Sequence, residues 1–244
     1  MRERVQSVLF ELESLGSPKK RTDMAGRFGI HTDKAWGVGM AEMQKVAKRA
    51  GRDHALAAAL WKTGWYEARM VACLVDDPHQ VTPEQMDAWC EDFDNWAICD
   101  TACFKLFDTV PFAFDAIRRW TVRPEEFVRR AGFSLLACVT PADDLAAEKE
   151  FARFLPVIAE YATDARNFVK KAVNWALRSV GGRSQALHAA AVNLAQRLAE
   201  SPDKTARWVG RDALKQLGTA ATLRRVERNE RRIKRSPGGR GASR

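Results

Sequence analysis

Apolar residues recur three and four positions apart along nearly the whole chain, and strand-length runs of β-branched residues are scarce. That spacing is the period of an amphipathic helix. Its interruptions predict helices over 2–15, 18–27, 40–50, 53–63, 66–76, 83–93, 95–108, 112–121, 124–138, 144–160, 164–180, 184–199, 202–217 and 219–234. Several interruptions carry a start or stop signal. In TPEQ (82–85), Thr82 is a natural N-cap, Pro83 suits the first helical position, and Gln85 is the expected capping-box partner. SPDK (201–204) repeats the Ser-Pro start, and Pro124 opens another helix. Gly181-Gly182 closes the helix containing Trp175, because glycine tolerates a left-handed cap.

Successive helix pairs are roughly thirty-five to forty residues apart, close to the length of a HEAT repeat. The expected fold class is all-α: a curved α-solenoid of antiparallel HEAT-like helix pairs with a concave basic groove. A compact helical bundle is the competing arrangement. The expected boundaries are one helical repeat domain over 1–223 and a basic C-terminal tail over 224–244. That tail should begin as the end of a helix and finish in a disordered SPGGRGASR.

Composition narrows the function classes. The chain has 244 residues, 46% of them hydrophobic, enough for a large core. No run of ~18 apolar residues exists, so no membrane contact is expected. The N-terminal MRERVQSVLFELESLG places acids among its apolar positions, unlike a secretion signal. Five cysteines, Cys73, Cys90, Cys99, Cys103 and Cys138, are odd in number and show no CxxC spacing. They read as reduced thiols in a cytoplasmic protein, with no metal and no cofactor expected. The net charge is +9, and residues 224–244 hold +7 of it. A basic end suits a polyanion such as nucleic acid, or simply keeps that end solvated.

Two segments carry candidate chemistry. In DNWAICDTACFKLFD (94–108), Trp96 and Asp100 share a helix face with Cys103 and Phe107. A carboxylate beside an indole on a buried face needs a cationic partner. That partner is either an arginine or a positively charged ligand. In DARNFVKKAVNWALRSVGGR (164–183), Phe168, Lys171, Trp175 and Arg178 form one stripe. Such a mixture lines a groove well, with cations for phosphates and an indole for a sugar or base edge. Equally, Trp175 can be core while Lys171 and Arg178 extend to solvent. Between these segments, Arg129 and Arg130 precede Ala131-Gly132, where glycine allows close helix packing. Arg130 suits either neutralisation of Asp100 or a phosphate contact; the pair together suits a backbone-phosphate clamp.

Four stretches, in this order, resemble the AlkD-like DNA alkylation repair glycosylases, bacterial enzymes built from HEAT-like repeats. They are MAGRFGIHTDKAWGVGMAEMQKVAK (24–48), LWKTGWYEARMVACLVDD (60–77), NWAICDTACFKLF (95–107) and KKAVNWALR (170–178), and the likeness spans about residues 1–220. The resemblance implies that Asp100 is the catalytic carboxylate and that Trp96 and Trp175 flank the deoxyribose of the modified nucleotide. It implies a DNA-backbone contact from Arg130, with Arg178 following Trp175 as in the family, and the groove and clamp readings above add Lys171 and Arg129, with Phe28, to the expected DNA interface. Phe28 stands where members often carry tyrosine, so a side-chain hydrogen bond is missing there. The implied activity is excision of cationic N3- and N7-alkylpurines without flipping the base, unlike most base-processing enzymes. The expected partner is double-stranded DNA containing alkylated purines, bound by a monomer at the bacterial nucleoid. Two other classes remain: a DNA-binding relative without glycosylase activity, and a protein-interaction scaffold.

Overall fold

The structure is a computed structural model and describes residues 1–139 and 145–235. Fourteen α-helices and no strand occur among the described residues. They are α1 (Arg2–Ser14), α2 (Pro18–Phe28), α3 (Met40–Ala50), α4 (His54–Trp61), α5 (Tyr66–Val75), α6 (Pro83–Glu91) and α7 (Trp96–Lys105), followed by α8 (Ala113–Thr121), α9 (Glu126–Cys138), α10 (Leu145–Tyr161), α11 (Asn167–Val180), α12 (Gln185–Ala199), α13 (Lys204–Leu217) and α14 (Ala220–Arg235). Each answers one interval expected from the sequence pattern. The expected disorder of SPGGRGASR falls outside the described residues.

The start signals hold in part. Thr82 accepts from the Gln85 backbone N–H, with Pro83 in the first turn. The Gln85 side chain does not close a capping box; its amide donates to Asp76 at 2.6 Å instead. The Ser-Pro start at 201 is displaced by two residues, because Asp203 is the cap and accepts from Thr205 and Ala206. Likewise Pro124 lies ahead of α9, whose cap is Glu125. Gly181 ends α11 in a right-handed conformation, φ −67°, so no left-handed cap explains it. Space explains it: a Cβ there would sit 2.6 Å from Leu217 Cδ2 and 2.8 Å from the Ala191 methyl.

The chain divides into two compact units, Met1–Ala113 and Phe114–Arg244. In the first, α5 packs against α3, α4 and α7, and its Tyr66–Val75 stretch is almost wholly buried. Indoles stack in this unit, one pair in the core and one half-buried at its edge. Trp61 lies on Trp89 and Trp36 on Trp65, both with ring centres 3.9 Å apart. In the second unit α11 is central, packed against α9 and α13, while α12 pairs with α13. The close helix packing expected at Gly132 is present: a Cβ there would meet the Thr121 backbone nitrogen at 2.7 Å. All five cysteines are present as thiols, and burial pushes the Cys73 pKa up, which makes it inert as a nucleophile. Among the described residues no helix is long and apolar enough to cross a membrane.

Candidate nucleic-acid site

In the first unit the site begins with a cap. Asn95, buried, accepts the backbone N–H groups of Ala97 and Ile98 and so fixes the start of α7 at Trp96. From there α7 is enclosed: Ala97, Ile98, Cys99, Thr101, Ala102 and Cys103 are all buried. Apart from Lys105 at its end, what reaches solvent is a stripe at i, i+4 and i+8. Trp96 and Asp100 are half-buried, and Phe104 is 54% exposed. The sequence pattern had grouped Trp96 and Asp100 with Cys103 and Phe107, which are instead fully buried. The face is therefore turned toward solvent, and Phe104, with the Lys105 ammonium 4.1 Å from its ring centre, is a member that periodicity did not single out.

The Trp96 indole is held in place. Its Nε1–H donates to the backbone oxygen of Phe28 at 2.8 Å. Phe28 is the last residue of α2, and Gly29 turns the chain away at φ 64°. The indole thus satisfies a carbonyl that the helix end leaves without a partner. The hydrogen bond that a tyrosine hydroxyl would have offered is missing here, but the backbone at the same position supplies one. The Phe28 ring is 48% exposed, with the Arg27 guanidinium 5.6 Å from its centre.

The chain after Phe28 is fixed from α5. Glu67, fully buried, accepts the backbone N–H groups of Trp36, Gly37 and Val38, the shortest at 2.7 Å. Gly37 has φ 81°, and any Cβ there would lie 2.4 Å from the Ser17 oxygen. A buried carboxylate facing three successive amides is an anion nest filled by the protein's own side chain. The neighbouring Arg69 also faces inward, 3.4 Å from the Asp92 carboxylate and 5.1 Å from the Trp61 ring. The Glu-x-Arg pair of this stretch is structural.

In the second unit, Val169, Ala172, Val173, Ala176, Leu177 and Val180 bury one side of α11. Phe168, Trp175 and Arg178 are half-buried at its margin and Lys171 is exposed. Arg178 has Asp212 at 3.9 Å. The two arginines of α9 differ sharply. Arg130 is buried and donates to the Phe168 backbone oxygen at 2.6 Å, so it holds α11 from behind the stripe. Arg129 is 2.9 Å from Asp164 and 4.4 Å from the Tyr161 ring centre. Asp164 also accepts from Arg166. Burial opposes its ionisation, but the hydrogen bonds from Arg166 and Arg129 outweigh that and hold its pKa at about 2. Arg129 is therefore a half-buried cation engaged by Asp164 and the Tyr161 ring. Asp164 and Arg166 pair with each other two residues apart, while their further partners Arg129 and the Pro124 oxygen lie 35 and 42 residues away, beyond the reach of local sequence pattern. Trp96, Asp100 and Phe28 thus lie in the first unit, and Arg129, Arg130, Lys171, Trp175 and Arg178 in the second.

Comparison with known proteins places this geometry in context. A family model described as DNA alkylation repair enzyme matches residues 8–217. No curated protein matches the sequence. Among solved structures, the chain is similar to a representative of "a new family of proteins related to the HEAT-like repeat DNA glycosylases with affinity for branched DNA structures". The two share 22% identity over 87% of this chain and 95% of the other, with a TM-score of 0.71. At that identity the likeness carries the fold, which is all-helical and HEAT-like.

Proposed function

This chain belongs to the DNA alkylation repair enzyme family, and on that premise we propose that it is a glycosylase excising cationic N3- and N7-alkylpurines from duplex DNA. The observation that carries the reading is the stripe on α7. An anchored indole and a carboxylate stand one turn apart on a side of that helix that meets solvent.

Alkylation at purine N3 or N7 gives the base a positive charge. Heterolysis of the bond between C1′ and the purine nitrogen returns its electron pair to the base, which departs neutral and needs no acid. Positive charge then develops on the sugar as an oxocarbenium ion. Water adds at C1′ and loses its proton. The protein has two tasks: to stabilise the sugar cation and to hold the water. The Asp100 carboxylate does both, as a fixed charge aimed where positive charge appears. The Trp96 face adds about 0.5–2 kcal/mol of cation attraction, and its bond to Phe28 sets the ring angle in advance. A carboxylate contribution of about 2.7 kcal/mol corresponds to roughly 100-fold in rate. Within the second unit, α11 presents a half-exposed indole, Trp175, with Lys171 and Arg178 whose charge suits phosphates. Arg130 acts indirectly, by positioning α11 through Phe168.

A second reading is DNA binding without bond cleavage. In its favour stands Phe28, which lacks the tyrosine hydroxyl common in the glycosylases that the chain resembles. One assay separates the two: incubation with duplex DNA methylated at guanine N7 and measurement of free base. Release by the parent protein that slows at least tenfold in Asp100→Asn supports the glycosylase. DNA binding without release supports the second reading.

A further inference from the structure

The last described helix, α14, lies beyond the family match, which stops at residue 217. Its buried positions are Thr222, Val226 and Ile233, with Asn229 half-buried between them. They follow one another at i, i+4, i+7 and i+11, a single stripe that docks the helix. The docking is specific. Asn229 donates to the Gly182 oxygen at 3.1 Å, Glu230 accepts from the Gln185 N–H at 3.2 Å, and the Thr222 hydroxyl donates to the Gln216 oxygen at 3.0 Å. This segment of the basic end is a held element.

Arg224, Arg228 and Arg231 each lie two residues after a member of the buried stripe. Two residues turn a helix by about 200°, so these arginines occupy the side opposite the docked one. All three are exposed, and among the described residues none is within ion-pair distance of a carboxylate. Arg225 differs, because its guanidinium packs against Gly182. Like charges at i, i+4 and i+7 repel by about 0.2–0.5 kcal/mol per pair, and Glu227, exposed three residues after Arg224 and four before Arg231, offsets part of that repulsion. The face keeps a net charge of +2, three arginines less Glu227, which suits a partner of dense negative charge. It is about 10 Å long. Duplex DNA presents one phosphate per ~1.7 Å of axis, so a stripe of that length can meet several.

We propose that the Arg224–Arg228–Arg231 face of α14 is a second DNA-contact surface, one that grips duplex phosphates irrespective of sequence or lesion. It rests on the proposed DNA binding and is independent of bond cleavage. Its guanidiniums ride on a docked helix, so little ordering entropy is lost on contact.

The test is the salt dependence of binding to an unmodified duplex, for the full chain and for Arg224→Gln/Arg228→Gln/Arg231→Gln. Loss of three phosphate contacts lowers the slope of log affinity against log salt by about 2.7. Between 50 and 200 mM salt the parent should therefore lose about 40-fold more affinity than the variant. The triple Arg→Lys variant should restore the slope, since it keeps the charge. Thermal unfolding of the Gln variant should stay close to the parent's, because the lost repulsion and the lost attraction to Glu227 offset each other. Equal slopes for parent and Gln variant would overturn the assignment. So would a Gln variant that keeps its DNA affinity but no longer binds vesicles containing anionic lipid. A parent that binds no duplex at all would sink both this surface and the proposed function, whereas a parent that binds but releases no base would leave the surface standing.

Discussion

Replacing Trp96 with phenylalanine isolates what its anchoring does. The ring volume is largely kept, but the N–H that meets the Phe28 oxygen at 2.8 Å is removed. An intramolecular hydrogen bond contributes about 0.5–1.5 kcal/mol net. Trp96 is half-buried, so water can replace the lost donor, and the stability cost should fall near 0.5 kcal/mol. The cost to the reaction should be larger. Phenylalanine offers a weaker face to a cation than indole does, and without the anchor its plane is no longer fixed. If the cation attraction of about 0.5–2 kcal/mol is mostly lost, base release slows by about 2- to 30-fold. The assay is single-turnover release of N7-methylguanine at saturating protein, with duplex affinity measured in parallel. A slower rate with unchanged affinity is the expected pattern, since the indole acts on the sugar cation and not on the ground-state duplex. Trp96→Phe releasing base at the parent rate would refute a role for the oriented indole. An equal fall in affinity and rate would place it in ground-state binding instead.

Three further predictions concern the scaffold. Glu67→Ala leaves three buried N–H groups without an acceptor, and should destabilise the first unit by about 3–5 kcal/mol in urea unfolding; a loss under 1 kcal/mol would show the nest to be unimportant. Gly132→Ala drives a methyl into the Thr121 backbone at 2.7 Å and should lower stability by about 1–3 kcal/mol by the same measurement, despite alanine's better helix propensity. Asp164 has its pKa lowered to about 2, so its contribution is complete above the ordinary carboxylate value and is lost as pH falls from about 4 through 2. Stability measured across that window should drop by at most about 2 kcal/mol more in the parent than in Asp164→Asn, and parallel curves would contradict the Arg129–Asp164–Arg166 linkage.

Helix positions were readable from the sequence because their determinants are local. Asn95 and Thr82 act on residues two or three away, and the three- to four-residue period survives even where α7 is buried almost all round. The direction each face takes was less readable. Trp96 and Asp100 were grouped with Cys103 and Phe107 because all four fall within one broad helical sector, yet tertiary packing buries the latter two and turns the former pair outward. Partner choice was least readable. Arg129 and Arg130 are adjacent and chemically identical, but one meets Asp164 and the other a backbone oxygen of Phe168. Nothing within a few residues of either distinguishes them. Glu67 is a similar case, because its three amide partners lie some thirty residues earlier in the chain. At Gly181 the residue type signalled a helix end correctly, while the reason was space and not backbone hand.

The most direct test of the account is the rate of free-base release from N7-methylated duplex by Asp100→Asn, compared with the parent at saturating protein. The substitution keeps shape and removes charge. The parent should release methylated base, and the variant should bind the same duplex with similar affinity but release base about 100-fold more slowly. Matching release rates in the two proteins would contradict the assignment of Asp100 as the carboxylate that meets the sugar cation.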